Sequence, residues 1–416
     1  MILLILLATV ALAQTNEMGL EDAVKYALAN NKNIQADRKQ LEIAAGRLKQ
    51  AGLRANPMLE TSGLSSLRDT SMKSASVMMS VPLEAGGRRS RRIEVAEREL
   101  ERMKYEVAER ERRLTAEVRT KYGEAVEAMR NLELNDRLLE LNQNSYRIIK
   151  ARVTEGASAP LEQSQLQVEV SKLEAQKQTF ASRVVVLQEE LKALLGAEED
   201  IKFRDEFSEI PLTLTKETLL QTAFNSRPDL QAARVAETVA DAMIEQAKTE
   251  GKYDLSVFAE LGFQSWRFDQ FGFSHDGALE RVAMSNGMVR AGVTITLPTR
   301  NKNQGNIEAA VAAKDEARLR REFIETMIRR EVAAAYARWQ GAARVLKTYN
   351  TDLLAASQNN LRVVRASFDL GYLRTTDVLA EQRRLVEVQM SYTAALKEEF
   401  LARTEVETVT GTRIGQ

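Results

Sequence analysis

Two acidic side chains stand at matched positions in the sequence. Glu162 lies six residues after Gly156, and Asp377 lies six residues after Gly371. A carboxylate in a narrow passage attracts cations, whereas a carboxylate in the first turn of a helix stabilises the positive end of the helix dipole. Both interpretations fit each acid by itself, and the equal offsets favour a shared role.

The residue types that enzymes use most are scarce. The chain of 416 residues has no cysteine and one histidine, His275, so disulfides, thiolate sites and nearly all histidine-based acid–base chemistry are excluded. It contains no glycine-rich phosphate loop after a strand, no histidine pair and no convincing triad. We therefore expect no catalytic site, no cofactor and no structural metal.

His275 and a group of methionines near two predicted hairpins are weak candidates for binding metal ions. A lone histidine is more often incidental than a ligand, and methionine is an adaptable filler of strands and cores. The methionines are Met72, Met78, Met79, Met284 and Met288.

The composition and the apolar runs of the chain limit which class of protein it can be. The chain has 59 basic and 59 acidic residues, so a nucleic-acid partner has no electrostatic support. A short apolar run ending in Ala11-Leu12-Ala13 predicts a signal peptide over residues 1–13 and export of the chain. No later run reaches the ~20 apolar residues of a spanning helix, so we expect any membrane segment to consist of strands.

The most informative pattern is an internal duplication. Short matches recur in the same order along the two halves, which chance similarity between helical segments would not preserve. The matched pairs are 33–35 with 229–231, 44–51 with 240–247, 117–122 with 331–336, Gly156 with Gly371, and Gly196 with Gly411. We predict two copies, residues 14–196 and 216–416, separated by a middle segment over 197–215.

Each copy combines two periodicities. The apolar positions after Val118 step by four and three, and those after Leu166 repeat every seven, which predicts long helices packed side by side in a left-handed supercoil. A helix filling the stretch between Gly87 and Gly156 would be about 100 Å long. A helix of that length needs neighbours, because no compact monomer buries it on itself.

Between the helical blocks the apolar residues alternate with a period of two. Residues 253–264 and 289–297 each have about the length of a tilted transmembrane strand, and a weaker hairpin lies near 57–66 and 73–82. Residues 265–286, which contain His275, are predicted to form a loop. A soluble sheet with one buried face would produce the same alternation.

This order of elements resembles the TolC-like outer-membrane efflux proteins over essentially the whole mature chain. Local marks are Leu20-Glu21-Asp22-Ala23 and Arg227-Pro228-Asp229-Leu230, and the run from Val81 to Arg89 resembles the cation-efflux (cobalt–zinc–cadmium) branch. The resemblance implies an α+β membrane protein. Its long helices would form a periplasmic α-barrel, and four strands per protomer would contribute to a 12-stranded trimeric β-barrel.

The resemblance also implies partners and sites. A periplasmic adaptor and an inner-membrane pump of the resistance-nodulation-division type would dock at the helical end, and the outer membrane would surround the strands. The implied adaptor-docking turns are Gly156, Ala157, Leu370, Gly371 and Tyr372. The implied membrane-rim basic cluster is Arg88, Arg89, Arg91 and Arg92.

The same resemblance places Glu162 and Asp377 at the constricted entrance of the duct. Three protomers would then bring six carboxylates near the axis, which would attract cations. One departure weakens this assignment, because the second acid that some relatives carry a turn further along is Ala380 here.

These features predict an outer-membrane channel for efflux, with metal cations as the first candidate substrate. A duct for drug efflux or for type I protein secretion has the same fold and stays open as an alternative. A structural periplasmic coiled-coil protein would explain the heptads, but not the strands or the duplication.

Overall fold

The structure is a computed structural model that describes residues 17–65, 71–199, 201–205, 207 and 214–413. The predicted signal peptide, residues 1–13, lies outside these ranges. By contacts the chain divides into two units. The first contains the residues up to Lys39, Glu106–Leu230 and those from Ile324 on, and the second contains Gln40–Tyr105 and Gln231–Phe323.

The elements follow one another in two similar series. The first series is β1 (Glu17–Met18), α1 (Leu20–Asn30), α2 (Lys32–Ala51), β2 (Met58–Ser65), β3 (Met72–Leu83), α3 (Arg88–Thr154) and α4 (Pro160–Leu195). The second series is β4 (Lys202–Phe203), α5 (Lys216–Ser226), α6 (Pro228–Glu250), β5 (Asp254–Phe273), β6 (Leu279–Thr296), α7 (Gln304–Thr348), a π-helix (Tyr349–Leu353), α8 (Leu354–Asp369) and α9 (Thr375–Thr410).

Two pairs of corresponding helices have equal lengths. Both α1 and α5 have 11 residues, and both α4 and α9 have 36 residues. Each of the last two ends at a glycine in the left-handed conformation, Gly196 with φ 68° and Gly411 with φ 71°, which L-residues adopt only with strain.

The first unit is held together by apolar side chains from the ends of each series. One cluster contains Val118 and Tyr122 of α3 with Leu191 and Leu195 of α4, and α1 packs onto it. A second cluster contains the corresponding residues of α5, α7 and α9, among them Leu219, Val332 and Val406. In these two clusters the heptad pattern is realised as packing between helices of the same series.

Matching hydrogen bonds close each series. Asn31, between α1 and α2, donates from its amide nitrogen to the carbonyl oxygen of Leu194 at 2.8 Å. Ser226, the last residue of α5, donates from its hydroxyl to the carbonyl oxygen of Thr410 at 2.5 Å. At Gly196 there is no room for a side chain, because a Cβ would lie 2.8 Å from the carbonyl oxygen of Asn30.

The second unit contains an antiparallel sheet with strand order β2-β3-β5-β6. Its strands are longer than predicted: β5 continues to Phe273 and β6 begins at Leu279, so most of the predicted loop over 265–286 is strand. The cause is that the face that is apolar up to Phe263 becomes polar at Ser265 and its register partner Ser285, so the apolar alternation that predicts a strand ends there although the pairing continues.

The two faces of this sheet differ in chemistry. The face formed by the odd-numbered residues of β3, β5 and β6, called the apolar face here, carries exposed aliphatic and aromatic side chains: Val77, Leu261, Phe263, Val289 and Val293. The opposite face, called the polar face, carries the ion pair of Glu260 with Arg290. Within the described residues, no helix is long and apolar enough to cross a membrane.

Candidate functional site

In each series one tight turn joins two long helices, and in both turns the backbone adopts a conformation that glycine allows. Gly156 has φ 76° and Gly371 has φ 80°, a region that favours glycine. In both turns the glycine N–H and the next N–H donate back to carbonyl oxygens of the preceding helix. These bonds are Gly156 to Val153 (3.0 Å), Ala157 to Arg152 (2.7 Å), Gly371 to Phe368 (2.9 Å) and Tyr372 to Ser367 (3.0 Å).

The turns expose apolar side chains. Leu370 is 72% exposed and Tyr372 is 81% exposed, and Leu161, just after the first turn, is 66% exposed. A Cβ placed on Gly156 or Gly371 would meet nothing within 4 Å. These surfaces are therefore open for contact with another chain.

The two acids occupy the same position in the helices that follow the turns. Glu162 is the third residue of α4, and Asp377 is the third residue of α9. One carboxylate oxygen of Asp377 accepts a hydrogen bond from the backbone N–H of Arg374 at 2.9 Å, so this acid caps its helix. The carboxylate of Glu162 has no hydrogen-bond or ion-pair partner among the described residues.

Packing just behind the acids ties the two helix pairs together. Ile149 of α3, Leu166 of α4 and Leu379 of α9 form one buried cluster. Nearby, Arg383 of α9 donates to Glu169 of α4 at 2.7 Å, and the side chain of Glu169 is only 6% exposed. Sequence analysis missed this ion pair, because the two residues are 214 positions apart and neither belongs to a motif.

The predicted basic cluster is engaged with helix ends. Arg88 donates to the carbonyl oxygens of Thr249, Glu250 and Lys252 after α6 and also pairs with Asp254. Such contacts satisfy carbonyl groups that a helix end leaves without partners.

The other arginines of the cluster behave in two ways. Arg89 donates to the carbonyl oxygen of Gly52 at 2.8 Å, and Arg92 donates to that of Ala51 at 2.9 Å, so both cap the end of α2. Arg91 pairs with Glu94. Three of the four guanidinium groups therefore have a structural role, and a role at a membrane rim stays a prediction.

The motif Arg227-Pro228-Asp229-Leu230 forms an ionic cluster in the first unit. Arg227 makes two hydrogen bonds to Asp229, at 2.6 and 3.0 Å, and one to Glu331 at 2.5 Å. Burial alone would lower the pKa of Arg227, but the hydrogen bonds to Asp229 and Glu331 outweigh it and raise that pKa. Burial would likewise raise the pKa of Asp229, yet the hydrogen bond and charge of Arg227 lower it.

The histidine among the weak metal candidates lies in a turn. His275 lies in the turn between β5 and β6. The part of the chain that the structure describes contains no group of three or more histidine, cysteine or acidic residues that could hold a metal ion.

Comparisons with known proteins agree with each other. A family described as outer membrane efflux protein matches residues 23–197 and 219–412. The cobalt-zinc-cadmium resistance protein CzcC of Cupriavidus metallidurans is 23% identical over 396 residues, covering 94% of this chain and 90% of that protein. The nickel-cobalt-cadmium resistance protein NccC of Alcaligenes xylosoxydans xylosoxydans is 26% identical over 328 residues, covering 76% of this chain and 69% of that protein.

A solved structure has the same fold. The open state of the MtrE outer membrane channel of Neisseria gonorrhoeae matches with a TM-score of 0.72 at 19% identity, covering 94% of this chain and 89% of that chain. The predicted fold class is thereby confirmed.

Proposed function

Since this chain belongs to the outer membrane efflux protein family, we propose that it is the outer-membrane channel of a tripartite system that exports divalent heavy-metal cations. The observation that carries the metal assignment is the pair of relatives named for resistance to cobalt, zinc, nickel and cadmium, one of which aligns with 94% of this chain. A conduit needs no catalytic residue, and we propose none.

The working assembly in this proposal is a trimer. The sheet ends in two edge strands, β2 and β6, and within a bilayer the N–H and C=O groups of such edges must be paired with another strand. Pairing β6 of one protomer with β2 of the next would give twelve strands around a shared barrel. The exposed apolar face would then meet lipid, and the helices would lie in the periplasm.

The partners in this proposal are a periplasmic adaptor and an inner-membrane pump of the resistance-nodulation-division type. We assign adaptor docking to the turns at Gly156 and Gly371. The exposed side chains of Leu370 and Tyr372 support this assignment, because apolar groups exposed at a turn gain free energy when a partner covers them.

A growth assay tests substrate and docking together. A deletion strain is exposed to divalent metals, copper, silver, dyes and antibiotics, and is complemented with the intact gene or with Gly156→Trp/Gly371→Trp. We expect the intact gene to restore tolerance to divalent metals and the double tryptophan variant to fail, with loss of adaptor cross-linking from a trimer that still assembles.

The matched control is Gly156→Ala/Gly371→Ala. It carries the same backbone strain of about 1–3 kcal/mol per site without a bulky side chain, so it should restore growth. Sensitivity to dyes and antibiotics in place of metals would contradict the metal assignment and favour drug efflux, and the absence of any phenotype would favour protein secretion. Full activity and cross-linking of the tryptophan variant would contradict the docking assignment.

A further inference from the structure

A row of hydroxyl and ammonium groups crosses the apolar face of the sheet. In the strand order β2-β3-β5-β6 it consists of Ser65, Lys73, Ser265 and Ser285, which are register partners. The neighbouring row contains Phe263 and has no charged side chain. The apolar face thus changes abruptly to polar chemistry at this row, called the serine–lysine row here.

The apolar part of this face is long enough along the strand to cross a hydrocarbon layer. On β5, alternate residues from Leu255 to Phe263 lie on this face, with partners from Ile295 to Gly287 on β6. This stretch is nine residues long, which agrees with the ~9–11 residues that a transmembrane strand tilted by about 45° requires. In a membrane, the serine–lysine row would lie at the depth of the lipid headgroups.

Two arginines extend the row on the same face. Arg267 is two residues beyond Ser265 on β5 and pairs with Ala283, and Arg281 is two residues beyond Ala283 on β6. Diagonal neighbours on one face of a sheet are about 7–8 Å apart. Lys73, Arg267 and Arg281 therefore form a line of three cations across three strands.

The three cations differ in the hydrogen-bond, ion-pair and ring contacts of their side chains. Arg281 stacks over the ring of Phe271, with its guanidinium carbon 5.8 Å from the ring centre, and lies 3.6 Å from Asp269, which offsets part of its charge. Lys73 and Arg267 have no side-chain hydrogen bond or ion pair to any residue within the described ranges. By contrast, the guanidinium of Arg88 donates hydrogen bonds to three carbonyl oxygens.

We propose that the serine–lysine row and Arg267 bind the phosphorylated sugar headgroup of an outer-leaflet glycolipid. The cations pair with phosphate oxygens, since charge-assisted hydrogen bonds to phosphate are the strongest polar contacts that this face offers. The three serine hydroxyls donate to and accept from sugar hydroxyls. This inference rests on the proposed function, because it requires the apolar face to be in a membrane.

The test is binding of lipid A to the detergent-solubilised full-length assembly, measured by native mass spectrometry. We expect Arg267→Gln to weaken binding about fivefold and Lys73→Gln/Arg267→Gln about 25-fold, since each cation near a headgroup contributes about a factor of five. Arg290→Gln is the matched control. It removes one arginine from the same sheet on the polar face and should leave the affinity for lipid A unchanged.

Three outcomes would overturn the inference: unchanged affinity of the double variant, equal binding of dephosphorylated lipid A, or equally tight binding of phosphatidylglycerol with the same charge dependence. Conductance in phosphatidylcholine bilayers, which contain no phosphorylated sugar, separates this result from the proposed function. If all variants conduct there, the channel assignment stands whichever way the lipid result falls. If the intact chain forms no channel, the proposed function fails.

Discussion

At the scale of single residues, the structure explains what the residues of the motif Arg227-Pro228-Asp229-Leu230 do, whereas the sequence showed only that the motif resembles the family. Pro228 begins α6, Leu230 is buried in an apolar cluster, and Arg227 binds Asp229 and Glu331. The sequence could place charge near Arg88 and Arg227, but not their acceptors. The carbonyl groups and carboxylates that they contact come from segments up to 182 positions away, and no local pattern reports them.

We expect Asp229→Asn to destabilise the chain in a pH-dependent way. The pKa of Asp229 is lowered in the folded chain. The carboxylate therefore contributes stability above its unfolded pKa of about 4, and this contribution is lost as the pH falls through the folded pKa. At pH 7 the variant should lose about 1.5–3 kcal/mol, the range for hydrogen bonds to charged groups, and this difference should narrow as the pH falls below about 4. Thermal unfolding between pH 7 and pH 3 measures this.

Asp241→Asn is the control for that experiment. Asp241 pairs with Lys314 at 2.7 Å, but the two side chains are 52% and 40% exposed, so solvent screens this pair and its loss should cost much less than the loss of the Asp229 carboxylate. Equal effects of the two substitutions at pH 7, or a gap for Asp229→Asn that stays constant down to pH 3, would contradict the assignment.

At the scale of elements, the stretch from Glu331 to Gly371 is one residue longer than its counterpart from Glu117 to Gly156, and the π-helix accommodates the extra residue. Glu117 and Glu331 are 214 positions apart, whereas Gly156 and Gly371 are 215 apart. The first series runs through α3 without interruption, while the second contains the π-helix Tyr349–Leu353. A single inserted residue in a helix is accommodated by one π turn, which keeps the flanking faces in phase.

The same comparison explains which elements the sequence could predict. Helices ending at Gly156, Gly196, Gly371 and Gly411 follow from heptads and glycines. The π-helix did not follow, because one extra residue is invisible without comparing offsets. The end of β5 was predicted too early because the apolar alternation ends at Ser265, where the strand itself continues. The copy boundaries stay a prediction.

A deletion experiment tests the origin of the π-helix. Removing Thr351 should turn Gln304–Asp369 into one continuous α-helix and leave the free energy of unfolding within about 1 kcal/mol of the intact chain. Removing Arg137, an exposed residue of α3, should rotate everything beyond it by about 100°. This would turn Ile149 away from the core and cost more than about 4 kcal/mol. Circular dichroism with thermal unfolding compares the two, and equal destabilisation would contradict the insertion.

At the scale of the whole molecule, the equal placement of Glu162 and Asp377 matters because the proposed assembly multiplies it. Each acid is the third residue of its helix, so a first-turn role in stabilising the helix accounts for both positions. The structure adds a difference that the sequence did not predict: one oxygen of Asp377 serves the cap at Arg374. In the proposed trimer, three copies of each acid would still surround the entrance.

We therefore expect Glu162→Gln/Asp377→Asn to reduce the cation preference of single channels by on the order of tenfold, since six carboxylates would no longer concentrate cations. The asparagine keeps an acceptor for the Arg374 cap, so the helix start is preserved. The measurement is the reversal potential in a salt gradient across a planar bilayer.

The control removes two acids from the same helices further from the turns. Glu189→Gln/Glu398→Gln changes side chains that are each 63% exposed and should leave the reversal potential unaltered. A reversal potential that is unaltered by the Glu162/Asp377 pair as well would rule out the acidic entrance.

The hydrogen bonds that join the start and the end of each series also limit when each series can finish folding during synthesis of the chain. The bond from Asn31 to Leu194 joins residues 163 positions apart, and the bond from Ser226 to Thr410 joins residues 184 positions apart. Neither can form until the last turn of the corresponding final helix has been made, and contacts over such long loops form slowly. The first series therefore cannot close before Leu194 has been added, and the second series cannot close before Thr410 has been added.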